Sequence, residues 1–478
     1  MRSALRHLAL LLAAASLASP AAAQMRVSLP VAPIGGLAVP LTPFSSFTAP
    51  ALSFSPSLSV PSLSPSFSPS AAPALSAALP VSVERGRSYF DGAAAKADAP
   101  SPAGPARAPR GETVALNDAV LPARLFSDQA TISSQLIRAI DASKVSIDIA
   151  IHGLALREVA AALLRAKNRG VRVRIVMNQT HVFPEKPRDT RTPEVQMLID
   201  QGFELKMLRG GDMFGIMHNK IALFDGQVLE TGSYNWTHAA DAWHWENAML
   251  HAEQARIKAY QAYWDWMWSL ASKIPSRAPP LPTPIPEGQP HPNLPPAPQD
   301  SARPVLFNGE AFPAQAFSPG GVSAHLVRAI DASKASIDLA NFSFTSEVLR
   351  DALLRAKERG VKVRIVFDAD QYKFLSEMRW FADNGFDLLL QSGKNGGRGV
   401  MHNKFAVFDG ALVEAGSFNW TRNGEKNNYE NAMFLYAPDD VAGFAAYFER
   451  IRASAWAPAP EDHAGPHAAP EGFDPRAF

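Results

Sequence analysis

The 478-residue chain has no cysteine. That excludes a disulfide framework, thiol catalysis, a thiolate metal site and a lipid-anchored N-terminal cysteine. It also lacks an excess of either charge: 46 Lys+Arg stand against 45 Asp+Glu. The balance excludes a strongly basic protein that coats nucleic acid and an acidic solvating tail. Long apolar runs are missing beyond the first 23 residues. There Arg2 and Arg6 precede the apolar stretch Leu8 to Ala18, and Ala21-Ala22-Ala23 offers a small-residue cleavage site. The stretch is shorter than the roughly 20 residues that a membrane span needs. It reads as a signal peptide, residues 1–23, cleaved before Gln24. An exported chain without cysteine points to a secreted or periplasmic protein.

Proline, by contrast, is abundant, with 40 residues. Residues 24–111 repeat Ser, Pro, Ala and Leu without helical or strand period, and are expected to be disordered. A second Pro-rich segment, 273–303, is expected to be an extended linker. Two globular blocks remain, 112–272 and 304–458, with a polar tail over 459–478.

The blocks repeat one another. RAIDASKVSIDIA at Arg138 returns as RAIDASKASIDLA at Arg328, and MHNKIALFDGQVLETGSYNWT at Met217 returns as MHNKFAVFDGALVEAGSFNWT at Met401. The first offset is 190 and the second 184, which places six extra residues in block one, in the loop THVFPEKPRDTRTPE. Strands alternate with amphipathic helices in both blocks. The expected fold class is α/β: two α/β/α sandwich repeats related by a pseudo-twofold.

HNKIALFD alternates as a strand, which puts His218 and Lys220 on one face. Asp225-Gly226 is a favoured two-residue turn, which would set His218 opposite Ser233, with Asn235 diagonal to it. Asp409-Gly410 would do the same for His402, Lys404, Ser417 and Asn419. An imidazole, an ammonium, a hydroxyl and an amide on one face suit a phosphodiester oxyanion. A divalent metal is disfavoured, because an ammonium beside each histidine repels it.

These residues resemble the phospholipase D superfamily, with its bacterial nuclease-like and cardiolipin hydrolase-like members. The pattern stands as His218-Asn219-Lys220, Asp225 and Gly232-Ser233-Tyr234-Asn235, and again as His402-Asn403-Lys404, Asp409 and Gly416-Ser417-Phe418-Asn419. Glu246 and Glu430 each follow their histidine by 28 residues. The resemblance implies two catalytic histidines, one forming a phosphohistidine and the other serving as acid and then base. In two-repeat members His218 would be the nucleophile and His402 the acid, although the residues alone do not distinguish them. Lys220, Lys404, Asn235 and Asn419 would hold phosphoryl oxygens with no cofactor or metal. Glu246 and Glu430 would orient the imidazoles. Asp225, Asp409, Ser233 and Ser417 would support the site, the two Asp through the turns. Block one departs from the pattern at Ile151-His152-Gly153-Leu154, where block two has Asn341-Phe342-Ser343-Phe344; His152 is read as structural, with a place lining the cleft as the alternative.

The expected activity is phospholipid head-group hydrolysis at a phospholipid or membrane surface. A metal-independent endonuclease is the alternative, so nucleic acid remains open as a partner. A phosphatidyl transferase or non-catalytic binding protein comes after these. Met213, Phe214, Ile216, Met217, Trp243 and Trp245 would form an apolar rim, and Lys394 and Arg398 a basic one. Trp266 and Trp268 are the candidates for exposed aromatics. Both half-sites lie in one chain, so a monomer is expected.

Overall fold

The computed structural model describes residues 112–184, 191–212, 214–280, 296–298, 300, 304–395 and 399–459. The signal peptide, the Pro-rich leader, most of the linker and tail, Met213 and Arg398 lie outside the described residues. No helix among the described residues is long and apolar enough to cross a membrane.

Each repeat is built on a mixed sheet. In the first, the strands run in the spatial order Ser272–Lys273, Glu204–Leu208, Arg172–Asn178, Ser146–Ile151, Lys220–Phe224, Val228–Gly232, Asn247–His251 and Arg124–Phe126. The second orders Gln315–Ser318, Glu430–Leu435, Leu412–Gly416, Lys404–Phe408, Ser336–Asn341, Lys362–Asp368 and Asp387–Gln391. Ser146–Ile151 and Ser336–Asn341 are central, with a parallel neighbour on one side and the motif strand antiparallel on the other. Strands covered on both faces read as continuous apolar runs, which is why SIDIAI and SIDLAN barely alternate. Their one charge, Asp148 or Asp338, is buried and held bidentately by Arg174 (2.7 and 2.7 Å) or Arg364 (2.6 and 2.7 Å). The guanidiniums in turn lie over Trp264 and Phe448.

Helices Ile132–Ala142 and Arg157–Asn168 cover one face of the first sheet, as Val322–Ala332 and Glu347–Glu358 cover the second. Helices Gln254–Leu270 and Pro438–Ala453 cover the opposite faces. Their buried Tyr260, Tyr263, Trp264, Phe444, Tyr447 and Phe448 join Met217, Trp245, Met401 and Tyr429 in a third apolar cluster that draws on both repeats. Parallel bridges Met217–Tyr429 and Trp245–Met401 stitch the repeats together beside the two motifs. Both blocks also open with a small hairpin, Thr113–Leu116 with Ala119–Pro122 and Val305–Phe307 with Glu310–Phe312, so the repeat starts earlier than the longest identical strings indicate.

Two sequence expectations change. The motif hairpins pair one residue out of the expected register: Ile221 faces Thr231 and Phe224 faces Val228, with Phe405 facing Ala415 in the second copy. Asp225 and Gly226 do take positive φ, 52° and 63°, and Gln227 N–H closes the turn on Phe224 O at 2.8 Å. Gln227 is then left over before pairing starts, and a one-residue slip changes what faces what. Trp266 and Trp268 are also half-buried rather than exposed. Trp266 stacks on Tyr263, and Trp268 stacks on Trp264 beneath the Lys206 ammonium.

Candidate functional site

The two motifs meet at the junction of the repeats. The His218 and His402 rings lie 6.4 Å apart between centroids, at 80° to each other. Both are nearly sealed, 3% and 1% exposed. Backbone bonds fix them across the junction: His218 N–H donates to Tyr429 O at 3.0 Å and His402 N–H to Trp245 O at 3.1 Å.

The carboxylates are exchanged between repeats. Glu430, from the second repeat, lies 2.9 Å from Nδ1 of His218 in the first. Glu246, from the first, lies 2.9 Å from Nδ1 of His402 in the second. Each glutamate is also clamped by the serine of its own repeat, Ser417 on Glu430 at 2.7 Å and Ser233 on Glu246 at 2.5 Å. The register slip is what turns each serine away from the histidine of its own hairpin. Its hydroxyl steadies the carboxylate that serves the other half-site.

Asn219 and Asn403, which the sequence reading left without a role, lock this exchange. Asn431 Nδ2 donates to Asn219 Oδ1 at 2.8 Å, and Asn247 Nδ2 donates to Asn403 Oδ1 at 2.8 Å. Tyr263 OH donates to Glu430 O at 3.1 Å and Tyr447 OH to Glu246 O at 2.9 Å. The signal was available: the same Asn follows each histidine and each glutamate.

Lys220 and Lys404 are fully buried, each Nζ donating to the carbonyl of its own motif histidine at 2.5 Å. Burial lowers Lys220 to about 7 against the pull of Glu430 and Glu246, and takes Lys404 well below the usual lysine range. Burial also lowers both imidazoles, with the neighbouring ammonium adding to it for each; His402 falls to about 3. Burial raises Glu430 to about 7, whereas the charges of His402 and Lys404 outweigh burial at Glu246 and hold it at about 2. A pocket whose cations have lost their water favours an arriving anion. Asn235 and Asn419 are buried, and neither Oδ1 accepts a hydrogen bond.

Asp225 and Asp409 sit at the far ends of the hairpins. Asp225 accepts from the backbone N–H groups of Lys144, Val145 and Ser146, each at 2.8 Å, and from Asn117 Nδ2 at 2.7 Å. Asp409 repeats the set with Lys334, Ala335, Ser336 and Asn308. They tie the turn to the start of the central strand.

The expected rim is largely consumed by packing. Lys394 Nζ donates to Ser127 O and Asp241 O, both at 2.9 Å, so its charge belongs to the junction. Met217 and Trp245 are buried, while Phe214, Ile216 and Trp243 are half-buried. A Cβ on Gly399, at φ 85°, would meet Trp243 O at 2.5 Å, so this close approach requires glycine. His152, read from sequence as structural, forms one wall of the site: its ring meets that of His218 edge-on at 5.0 Å. In the second repeat Phe342 takes that place, 4.8 Å from the His402 ring.

The profile described as "Cardiolipin synthase, PLD-like domain" matches residues 136–268 and 326–452. Human mitochondrial cardiolipin hydrolase is 38% identical over 141 residues, 28% of this chain and 52% of that protein. A phospholipase D from Rickettsia typhi is 28% identical over 140 residues, 29% of this chain and 64% of that protein. The match thus spans about half the length of the mitochondrial relative. Among solved structures, phosphatidylserine synthase from Haemophilus influenzae shares the fold over 70% of this chain and 87% of its own, at 12% identity and a TM-score of 0.51. Nuc from Salmonella typhimurium, a phospholipase D family member, is 30% identical over 30% of this chain and 93% of its own, with a TM-score of 0.27. With both repeats matched and both motifs complete, the chain belongs to the phospholipase D superfamily.

Proposed function

We propose that the protein is a phospholipase D-type phosphodiesterase that hydrolyses phospholipid head-group diesters through a phosphohistidine. The observation that carries this reading is the pair of imidazoles 6.4 Å apart, each backed by a buried carboxylate from the opposite repeat. With Nδ1 committed to the carboxylate, Nε2 is the reacting nitrogen of each ring. Near-attack partners stand about 3–3.5 Å apart, so a phosphorus between the rings is within reach of both.

One Nε2 attacks phosphorus. A P–N bond forms while the P–O bond to the leaving alcohol breaks, and the second ring gives its Nε2 proton to the leaving oxygen. That ring, now neutral, takes a proton from water. The water oxygen attacks phosphorus, the P–N bond breaks, and the phosphomonoester departs. Lys220, Lys404, Asn235 and Asn419 hold the non-bridging oxygens. Glu246 is the firmer anion of the two carboxylates, and its charge opposes the lowering of His402 by burial. This supports His402 as acid and His218 as nucleophile, the assignment implied by the resemblance.

Lipid is favoured by the names of the curated relatives, a cardiolipin hydrolase and a phospholipase D, and by the charge balance, which supplies no basic excess for nucleic acid. The test incubates the purified chain with liposomes of phosphatidylcholine, phosphatidylethanolamine and cardiolipin, and in parallel with single- and double-stranded DNA. Head-group or phosphatidate release without DNA cleavage is expected. DNA cleavage with intact lipid would replace this reading by a nuclease. Export belongs to the same proposal: mass spectrometry of the secreted or periplasmic protein should find Gln24 at its N-terminus.

A further inference from the structure

Repeat one carries an imidazole that its twin lacks. His244 occupies the place of Asn428, each lying two residues before its glutamate. In the second repeat the amide does ordinary work: Asn428 Nδ2 donates to Glu430 Oε1 at 3.2 Å. In the first, His244 is 4% exposed, and neither of its ring nitrogens has a hydrogen-bond partner. A buried polar group left in that state is costly, so it calls for an explanation.

The surroundings supply one. His244 Nδ1 points at Glu246 Oε1 from 3.6 Å, and His402 Nδ1 reaches the same oxygen from 2.9 Å. The three ligand atoms all lie within 4.8 Å of one another. Tetrahedral zinc with bonds of about 2.1 Å spreads its ligands roughly 3.4 Å apart, a spacing between these separations of 2.9 and 3.6 Å. Ser233 occupies Glu246 Oε2, which leaves Oε1 turned to the two imidazoles. Two imidazoles and one carboxylate are a donor set for a zinc-like divalent cation rather than for calcium or magnesium.

We propose that His244, Glu246 and His402 form an inhibitory site for one zinc-like divalent cation. The metal takes the place of the proton between Glu246 and His402 Nδ1. Glu246 then neutralises the cation and no longer an imidazolium, and His402 keeps on Nε2 only the proton of a neutral, metal-bound imidazole, a far weaker acid than an imidazolium, so the leaving oxygen is protonated poorly. The twin site, with Asn428 in place of an imidazole, has one nitrogen ligand fewer, so a single tight site per chain follows. The inhibition rests on the proposed role of His402; the binding does not.

The test uses the full chain stripped with EDTA. ZnCl2 is titrated in by calorimetry while hydrolysis of bis(p-nitrophenyl) phosphate is followed in parallel. One tight equivalent is expected, with activity lost in step with occupancy and restored by EDTA. His244→Asn, which copies the second repeat, should hydrolyse the diester in metal-free buffer, bind zinc at least roughly tenfold more weakly, and resist inhibition to the same extent. His244→Gln, checked for folding by circular dichroism, repeats the measurement if the Asn variant does not fold. Equal zinc affinity in the wild type and a folded variant would overturn the proposal, and so would activation by zinc or the absence of a tight site. A metal-free wild type without hydrolysis would instead count against the phosphodiesterase reading, and the calorimetric isotherm would still report the site.

Discussion

Replacing Glu430 by Gln tests the exchange of carboxylates between repeats. Gln has the shape of Glu but keeps an acceptor for only one of Ser417 and Asn428, which donate to different oxygens, so the variant removes the charge and one supporting hydrogen bond with little change of packing. What is lost is a buried contact of 2.9 Å with His218 Nδ1. A carboxylate at roughly 4 Å from an imidazolium stabilises it by about 4 kcal/mol at an effective dielectric near 20. At 1.36 kcal/mol per factor of ten, kcat should fall by several hundredfold to about a thousandfold. KM should change little, because the carboxylate does not face the substrate gap. The assay is steady-state hydrolysis of bis(p-nitrophenyl) phosphate, combined with NMR of the 15N-labelled imidazoles. Glu430→Gln should move the Nδ1 resonance of His218, in the other repeat, and leave that of His402 in place. Glu246→Gln should do the reverse. A loss in kcat below about fivefold, or a His218 resonance that answers to Glu246, would refute the reasoning.

Other outcomes follow from the same geometry. His218→Ala and His402→Ala should each abolish turnover; near-normal rates in either variant would argue against one shared site. Activity should survive EDTA, and a loss that added metal restores would point to a different reaction. The pH profile of kcat/KM should peak near 7: Glu430, raised to about 7 by burial, loses its charge below that pH, and Lys220, lowered to about 7, loses its own above it. Glu430→Gln should erase the acid limb. Asp225→Ala removes an acceptor from three backbone N–H groups and should destabilise the fold by about 1–3 kcal/mol in urea unfolding, with its histidines still in place.

Much of this was legible in the sequence because the chain states its pattern twice. The repeat fixed the layer order, and the central strands, their helices and both motifs fall where the periodicity put them. The register did not follow, since a DG turn specifies a two-residue loop and says nothing of the bulge at Gln227. The extra length of block one was only roughly read. The offset falls from 190 at Asn178/Asp368 to 183 at Glu204/Asp387, and one residue returns in the loop before the second motif. The exchange of glutamates was invisible for a deeper reason. Period and spacing describe neighbours along one hairpin, and the contacts that complete each half-site lie on a different repeat. Lys394 and the tryptophans misled for the same cause: on a string they are charged or apolar rim residues, and in the fold they are the junction itself.

The exchange also bears on why both copies remain intact. Were each half-site complete within its own repeat, one copy could lose its polar residues and leave the other serviceable. Here Glu246 holds His402 and Glu430 holds His218, while Asn219 and Asn403 each accept from an amide of the far repeat. Each motif therefore depends on residues 156 or 212 positions away, in the other repeat. The copies do diverge beside the rings, with His152 against Phe342 and His244 against Asn428, and Asn428 itself bonds across the junction by accepting from Ile216 N–H at 3.0 Å. The exchange of glutamates is the same in both halves despite this divergence, so the surroundings of the two rings differ chemically while their carboxylate partners do not.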